Sequence, residues 1–288
     1  MIALLWLSCT PENPLFAHPE LISAVHIPSG IYQIGLPESF KATESLRSRQ
    51  VTLSYDYLIA ATELTIAQWR RVRPELPDQY CSNGSIQTMG ESHPVRCISW
   101  CDAVLFANAV SRKDGLEPVY TIVGDFDWDM SPIRCNERAQ FVELQPMLNG
   151  WRLPTEAEWE IAAHEATHHS QFQDRVPHID KHAWFNDNSE GMVHPVAQLE
   201  PNAIGLYDMT GNLFEWTWER YALYRHSAVT DPFRYEESIP NLYTRPIKGG
   251  SYKSNQDSLP YYNRSNASPS LRHGSIGVRF VRTWASSD

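Results

Sequence analysis

The sequence predicts an α+β fold in which a few short helices and small antiparallel sheets are joined by much irregular chain. Three observations carry this expectation. Helix starts are marked by three capping boxes, Thr65 with Gln68, Ser99 with Asp102 and Thr155 with Glu158. Extended runs are short and bounded by turn residues, as in Gly30-Ile31-Tyr32-Gln33-Ile34-Gly35 and Gln50-Val51-Thr52-Leu53. Fourteen glycines and twenty prolines are spread through 288 residues, which interrupts regular structure throughout. That length suits one large domain, placed at residues 25–288 behind an N-terminal segment at 1–24.

Residues 1–9 are apolar and end in a small residue and Cys9, so they resemble the tail of a bacterial lipoprotein signal with Cys9 as the lipidated residue. A basic front end is missing and Trp6 is unusual there; a start codon placed too late would account for the missing front end. Thr10, Pro11, Glu12, Asn13 and Pro14 read as a tether. Strands are expected at 30–35, 50–53 and 58–64. Thr65 starts a helix expected to reach Val72, with Pro74 and Pro77 beyond it, and residues 75–91 read as loop with a turn at Asn83-Gly84. A second helix is expected over 100–113, burying Ala103, Leu105, Phe106, Ala109 and Val110 and capped by Gly115. A strand follows at 120–123, and 124–148 reads as a polar excursion. Asp125, Asp127 and Asp129 lack the glycine and distal glutamate of a calcium loop, so a solvated acidic loop is expected.

The organising stretch is Asn149-Gly150-Trp151-Arg152-Leu153-Pro154-Thr155-Glu156-Ala157-Glu158-Trp159. Pro154 brings the chain in extended, Thr155 caps, and Glu156 opens a helix whose acidic first turn suits the helix dipole. His164 and His168 stand one turn apart with His169 beside them, but no carboxylate pattern supports a metal site. Residues 220–245 read as a long surface excursion.

A formal charge of −10 argues against a nucleic-acid surface, which needs a basic excess. With Cys9 assigned to lipid, four cysteines remain, Cys81, Cys97, Cys101 and Cys135, and export permits disulfides. The Ser99 cap and the helix start separate Cys97 from Cys101, which favours Cys81 with Cys97 and Cys101 with Cys135; the absence of a C-x-x-C pair makes zinc the lesser alternative.

In order and spacing, the organising stretch, Gly205-Leu206-Tyr207-Asp208-Met209-Thr210-Gly211-Asn212-Leu213-Phe214-Glu215-Trp216, Lys248-Gly249-Gly250-Ser251-Tyr252 and Gly277-Val278-Arg279-Phe280 resemble the formylglycine-generating enzyme (sulfatase-modifying factor) family. Upstream, Glu63-Leu64-Thr65, His93-Pro94-Val95 and Gly115-Leu116-Glu117-Pro118 agree with it. The resemblance implies a fold related to C-type lectins and a structural Ca²⁺ on Asp208, Gly211, Leu213 and Glu215, through two side chains and two carbonyls. It also implies two cysteines after the Gly-Gly-Ser turn that capture copper and the substrate thiol. Ser254 and Leu259 stand there instead, so formylglycine formation and bound copper are not expected, and no iron site can be placed.

Three functions follow from the resemblance. The first is an exported, lipid-anchored member that binds a protein, peptide or surface polymer in the family cleft, flanked by Trp216, Ser251, Tyr252, Ser254 and Arg279. The second is a metal-dependent oxidoreductase of the wider family, which includes sulfoxide synthases. The third is a variable display protein, since Tyr252, Asn255, Asp257, Ser258, Tyr261, Tyr262, Asn263, Ser265, Asn266 and Ser268 have the character of an adaptable surface. In each case the expected location is the bacterial cell envelope, with membrane contact through the N-terminal lipid only.

Overall fold

The computed structural model describes residues 22–36, 48–81, 89–124, 127–128, 130–164, 178–222, 227–233 and 243–284. Cys9 and most of the N-terminal segment, the Asn83-Gly84 turn, Asp125, Asp129, His168 and His169 lie outside them. The strands are β1 (Ala24–Ile27), β2 (Gly30–Ile34), β3 (Arg49–Leu53), β4 (Asp56–Ala60), β5 (Tyr120–Ile122), β6 (Val142–Leu144), β7 (Phe214–Trp216), β8 (Val229–Thr230), β9 (Arg245–Lys248), β10 (Ser265–Ala267), β11 (Ile276–Gly277) and β12 (Val281–Trp284). The helices are α1 (Ile66–Arg70), α2 (Trp100–Lys113), α3 (Pro132–Arg138) and α4 (Glu156–His164). They form sheets ordered β1-β4-β12, β2-β3-β8 and β10-β9-β7-β11, with β5-β6 as a separate hairpin-like pair. The architecture is the expected α+β arrangement, with mixed as well as antiparallel sheets because β3–β8 and β7–β11 run parallel.

All three capping boxes close: the hydroxyls of Thr65, Ser99 and Thr155 accept from the amides three residues on, and the Gln68, Asp102 and Glu158 side chains accept in return. Gly115 ends α2 with a φ of +71°, as a left-handed cap does. Both expected disulfides are present, Cys81 with Cys97 and Cys101 with Cys135. The second ties α2 to α3.

Three expectations are corrected. β4 stops at Ala60 rather than running to residue 64, because Glu63 must turn inward to accept from Asn212 and the Leu213 amide. The stretch 124–148 is not featureless: Ser131 caps α3 with Pro132 at its first position, and β6 pairs with β5. The first helix also ends earlier than expected, at Arg70.

One core cluster gathers Trp69, Trp100, Phe106, Trp151, Trp216 and Phe280, with the Trp69 and Phe106 rings stacked 4.8 Å apart. A second surrounds α4 with Tyr57, Ile59, Trp159, Ile161 and Val281. Residues Glu156 to Ala163 are all buried, although three of them are glutamates. Each carboxylate has its own base. Arg152 grips Glu158 through two bonds of 2.7 and 2.6 Å, Lys248 bonds Glu160 at 3.1 Å, and Arg264 grips Glu156 at 2.6 and 2.8 Å. Buried ions persist only when paired in this way, so α4 fixes together the positions of β9, the chain leading into β10 and the segment of Arg152, which bridges to Val281 of β12.

Candidate functional site

The Gly205–Trp216 motif forms a tight loop on which Asp208, Gly211 and Asn212 all have positive φ, +55°, +82° and +49°. Gly211 is required twice over. Its conformation favours glycine, and a Cβ there would lie 2.2 Å from the Trp184 carbonyl oxygen. Asn212 locks the turn by donating through Nδ2 to Glu63 at 2.7 Å and receiving the Tyr252 amide on its carbonyl.

Two acidic residues of this stretch, Asp208 and Glu215, are buried together with Glu63 around one guanidinium, Arg279. Arg279 bonds Glu215 at 2.9–3.1 Å and also donates to the carbonyls of Ala60 and Tyr207. Trp159 Nε1 completes the Glu215 shell at 2.5 Å. Burial pushes Glu63 well above the usual carboxylate range, with Asp208 and Glu215 adding repulsion, and burial likewise raises Asp208. The donor set suits a hard cation in being all oxygen, and Glu63 and Asp208 are raised because, once buried, their ionised forms lack a sufficient cationic partner. Asp208, which accepts the Ala197 amide on one oxygen, is the freer ligand, whereas Glu215 would have to share its lone pairs with Arg279 and Trp159. Among the described residues, no three His, Cys, Asp or Glu side chains are arranged to hold a metal. A calcium ion here would depend on the Gly211 and Leu213 carbonyls.

The expected cleft wall is corrected by burial. Trp216 and Arg279 are 0 % exposed, Ser251 2 % and Tyr252 3 %, so they build the scaffold and cannot touch a ligand. Trp216 donates to the Ile98 carbonyl, and Tyr252 packs on Val193 and Leu213. Arg279 ties the last strand to Glu215 rather than to Glu158 or Glu160, which are held by Arg152 and Lys248. Only Ser254 of that set faces open space.

It lines a cavity of about 320 Å³ together with Phe214, Asp257, Asn263, Arg264 and Ser265. Gly250 forms its floor at a φ of +78°, where a Cβ would meet Leu259 Cδ2 at 2.8 Å and Ser254 Oγ at 3.4 Å. The two positions expected to carry cysteines therefore converge on one point. Leu259 is 1 % exposed and packs with Ile179, Ala183 and Phe185, while Ser254 accepts the Ser251 amide at 2.9 Å. A hydroxyl and a buried hydrocarbon bind no soft metal and transfer no electrons.

On the far wall, Arg264 is pinned by Glu156 and lies 4.7 Å from the centre of the Tyr221 ring. The Glu156 amide, at the start of α4, donates to both oxygens of Glu219. Burial, then the Glu156 charge, pushes Glu219 up to about 8. Asp257, Asn263 and Ser265 belong to the segment the sequence marks as an adaptable surface. Phe214 and Arg264 were missed: a three-residue strand has too little periodicity to show which side chain opens to a cleft, and the partner of Arg264 lies 108 residues away.

The sulfatase-modifying factor enzyme 1-like domain model matches residues 12–284. Chaperone protein LppX of Paenibacillus barcinonensis is 33 % identical over 203 residues, which cover 63 % of this chain and 68 % of that protein. The formylglycine-generating enzyme of Mus musculus is 26 % identical over 256 residues, 82 % of this chain and 55 % of that enzyme, so the chain spans about half its length. Among solved structures, Treponema denticola variable protein 1 superposes with a TM-score of 0.77 at 28 % identity, covering 91 % of this chain and 95 % of that one. The match runs nearly the whole length, and the chain belongs to the sulfatase-modifying factor (formylglycine-generating enzyme) family.

Proposed function

We propose that this chain is a binding protein built on the sulfatase-modifying factor fold, exported and anchored through lipid on Cys9, which holds a ligand in the Phe214–Arg264 cleft without cysteine redox chemistry. The observation that carries this reading is the pair Ser254 and Leu259, which converge on Gly250 with the surrounding floor intact. No cysteine follows Cys135 in the chain, and that residue is held in a disulfide. A relative called a chaperone protein is consistent with a binding role for the fold. Incubation of copper-treated protein with a sulfatase-motif peptide, followed by mass spectrometry, is expected to show no aldehyde. Appreciable formylglycine, or one tightly held copper, would overturn the reading. Labelling of expressing cells with radioactive palmitate is expected to mark the wild type and not Cys9→Ala.

The same reading includes a structural calcium ion held by Asp208, Glu215 and the carbonyls of Gly211 and Leu213. Its support is the grouping of three buried carboxyl side chains, Glu63, Asp208 and Glu215, around the single guanidinium of Arg279. Calcium is expected to raise the melting temperature of the wild type and leave Asp208→Ala unmoved; an unchanged wild type would remove the ion from the account. A second reading, a surface protein with a diversified cleft, is supported by the likeness to a variable protein over 91 % of the chain. Sequencing of this locus across strains separates the two, since diversification would concentrate at Asp257, Asn263 and Ser265.

A further inference from the structure

The cleft has a chemistry that narrows its ligand. We propose that it takes a neutral saccharide unit, with the Phe214 ring against an apolar face of the sugar and Asp257, Asn263 and Ser254 on its hydroxyls. The inference rests on the binding role proposed above.

Size comes first. At about 320 Å³ the cavity is at the small end of the range for ligand pockets, roughly 300–1,000 Å³, so it takes a compact group rather than a long chain. Its wall is the second consideration. Of the side chains on it, only Phe214 is hydrophobic, and that ring is half-buried, so an apolar peptide side chain would find one surface and no enclosure. Hydroxyls that donate and accept at once would find acceptor-only Asp257 and the mixed groups Asn263, Ser254 and Ser265, with the buried Arg264 behind them.

Charge removes the other classes. Arg264 spends Nε and Nη2 on Glu156, so its charge is met from behind and offers little attraction to a phosphate or carboxylate. Asp257 is exposed on the same wall and would repel an anion, as would the chain's overall −10. A cationic side chain would gain only an exposed, well-solvated carboxylate while facing the fixed Arg264. A neutral polyol suffers neither penalty.

The wall is also preorganised. Arg264 is clamped by Glu156 and backed by the Tyr221 ring, and Asn263 Nδ2 donates to the Asp257 carbonyl at 3.1 Å, which fixes the amide beside the carboxylate. Groups held in place before binding lose less freedom on contact, which suits the modest affinities of single sugar units.

The test uses the folded domain with its disulfides intact. Ligand-observed NMR and calorimetry would be run with a panel of neutral glycosides and short oligosaccharides based on glucose, mannose, xylose and N-acetylglucosamine, and with a random-peptide library as the rival. Binding of at least one saccharide is expected, insensitive to salt between about 0.05 and 0.5 M because no net charge is neutralised. Asp257→Ala and Asn263→Ala are each expected to weaken it at least tenfold, and Phe214→Ala likewise, while their melting temperatures confirm folding. Saccharide binding that survives all three substitutions overturns the proposal, as does failure of the whole panel to bind. Peptide binding lost in Phe214→Ala would overturn the saccharide assignment and keep the cleft as a binding site. If neither class binds, both readings fall.

Discussion

Removing the Cys101–Cys135 disulfide, by substituting both residues with alanine, tests how much of the stability depends on tying α2 to α3. The bond closes 34 residues, and the Cys81–Cys97 bond closes 16. In the chain-entropy account a closed loop of those lengths disfavours the unfolded state by about 4 and about 3 kcal/mol, with a difference near 0.7 kcal/mol. The two loops do not overlap in sequence, so the double removal should approach the sum. For a domain of this size each kcal/mol moves the melting temperature by roughly 2–4 °C, so losing the longer bond should lower it by about 8–15 °C. Both cysteines of that bond are almost completely buried, which adds lost packing in the same direction. The assay is urea and thermal unfolding without reductant, with free thiols counted on the denatured chain. A Cys101→Ala/Cys135→Ala protein that melts within a degree of wild type would refute the argument. So would four titratable thiols in protein recovered from an oxidising compartment.

Three further outcomes follow from particular contacts. Glu219 is pushed up to about 8, whereas an unfolded glutamate titrates near 4.3. Between those values the folded chain keeps a proton that the unfolded chain has lost, so stability falls as pH rises through that window, and Glu219→Gln should flatten the fall by up to about 1.4 kcal/mol per pH unit; identical slopes in urea melts would refute this. Gly211→Ala should cost well above the 1–2 kcal/mol or so of a left-handed alanine, because its Cβ meets the Trp184 carbonyl, whereas Gly115→Ala, with nothing within 4 Å, should cost about that alone; equal losses in unfolding experiments would show that the close approach is unimportant. Ser254→Cys/Leu259→Cys should gain a Cu(I) site, seen as thiolate-to-copper absorption at one equivalent, because the two positions already converge on Gly250; a double variant that folds and takes up no copper would show that convergence alone is insufficient.

What was legible in the sequence was local. A capping box needs only residues three apart, so the starts of α1, α2 and α4 could be placed to the residue. The disulfide pairing was also legible, because a cap and a helix start between Cys97 and Cys101 send their side chains to different partners. α3 and β6 were not: each is short, and α3 has a single buried residue, Cys135, so neither carries a periodic apolar face. The cleft wall failed for a different reason. Trp216, Tyr252 and Arg279 have side chains that could serve a ligand as readily as a core, and only long-range packing decides between the two. Arg279 is settled by Glu215, 64 residues away, and by the Ala60 carbonyl, 219 residues away.

The same distance explains what holds the two walls of the cleft in place. α4 carries three buried glutamates that the chain must satisfy in order to fold, and their partners Arg152, Lys248 and Arg264 come from three separate segments. Lys248 leads directly into Gly249-Gly250-Ser251, and Arg264 stands on the opposite wall of the cavity. The two sides of the cleft are therefore fixed by the ionic demands of a core helix and not by chemistry performed between them. Removing one member of such a buried pair costs about 3–5 kcal/mol, whereas exchanging residues on the open floor touches none of the pairs. Ser254 stands on that permissive ground, accepting from the Ser251 amide, whereas Leu259 is buried behind it in a small apolar cluster with Ile179, Ala183 and Phe185. The side chain at such a position can change while the walls of the cleft keep their places, because none of the three ion pairs passes through it.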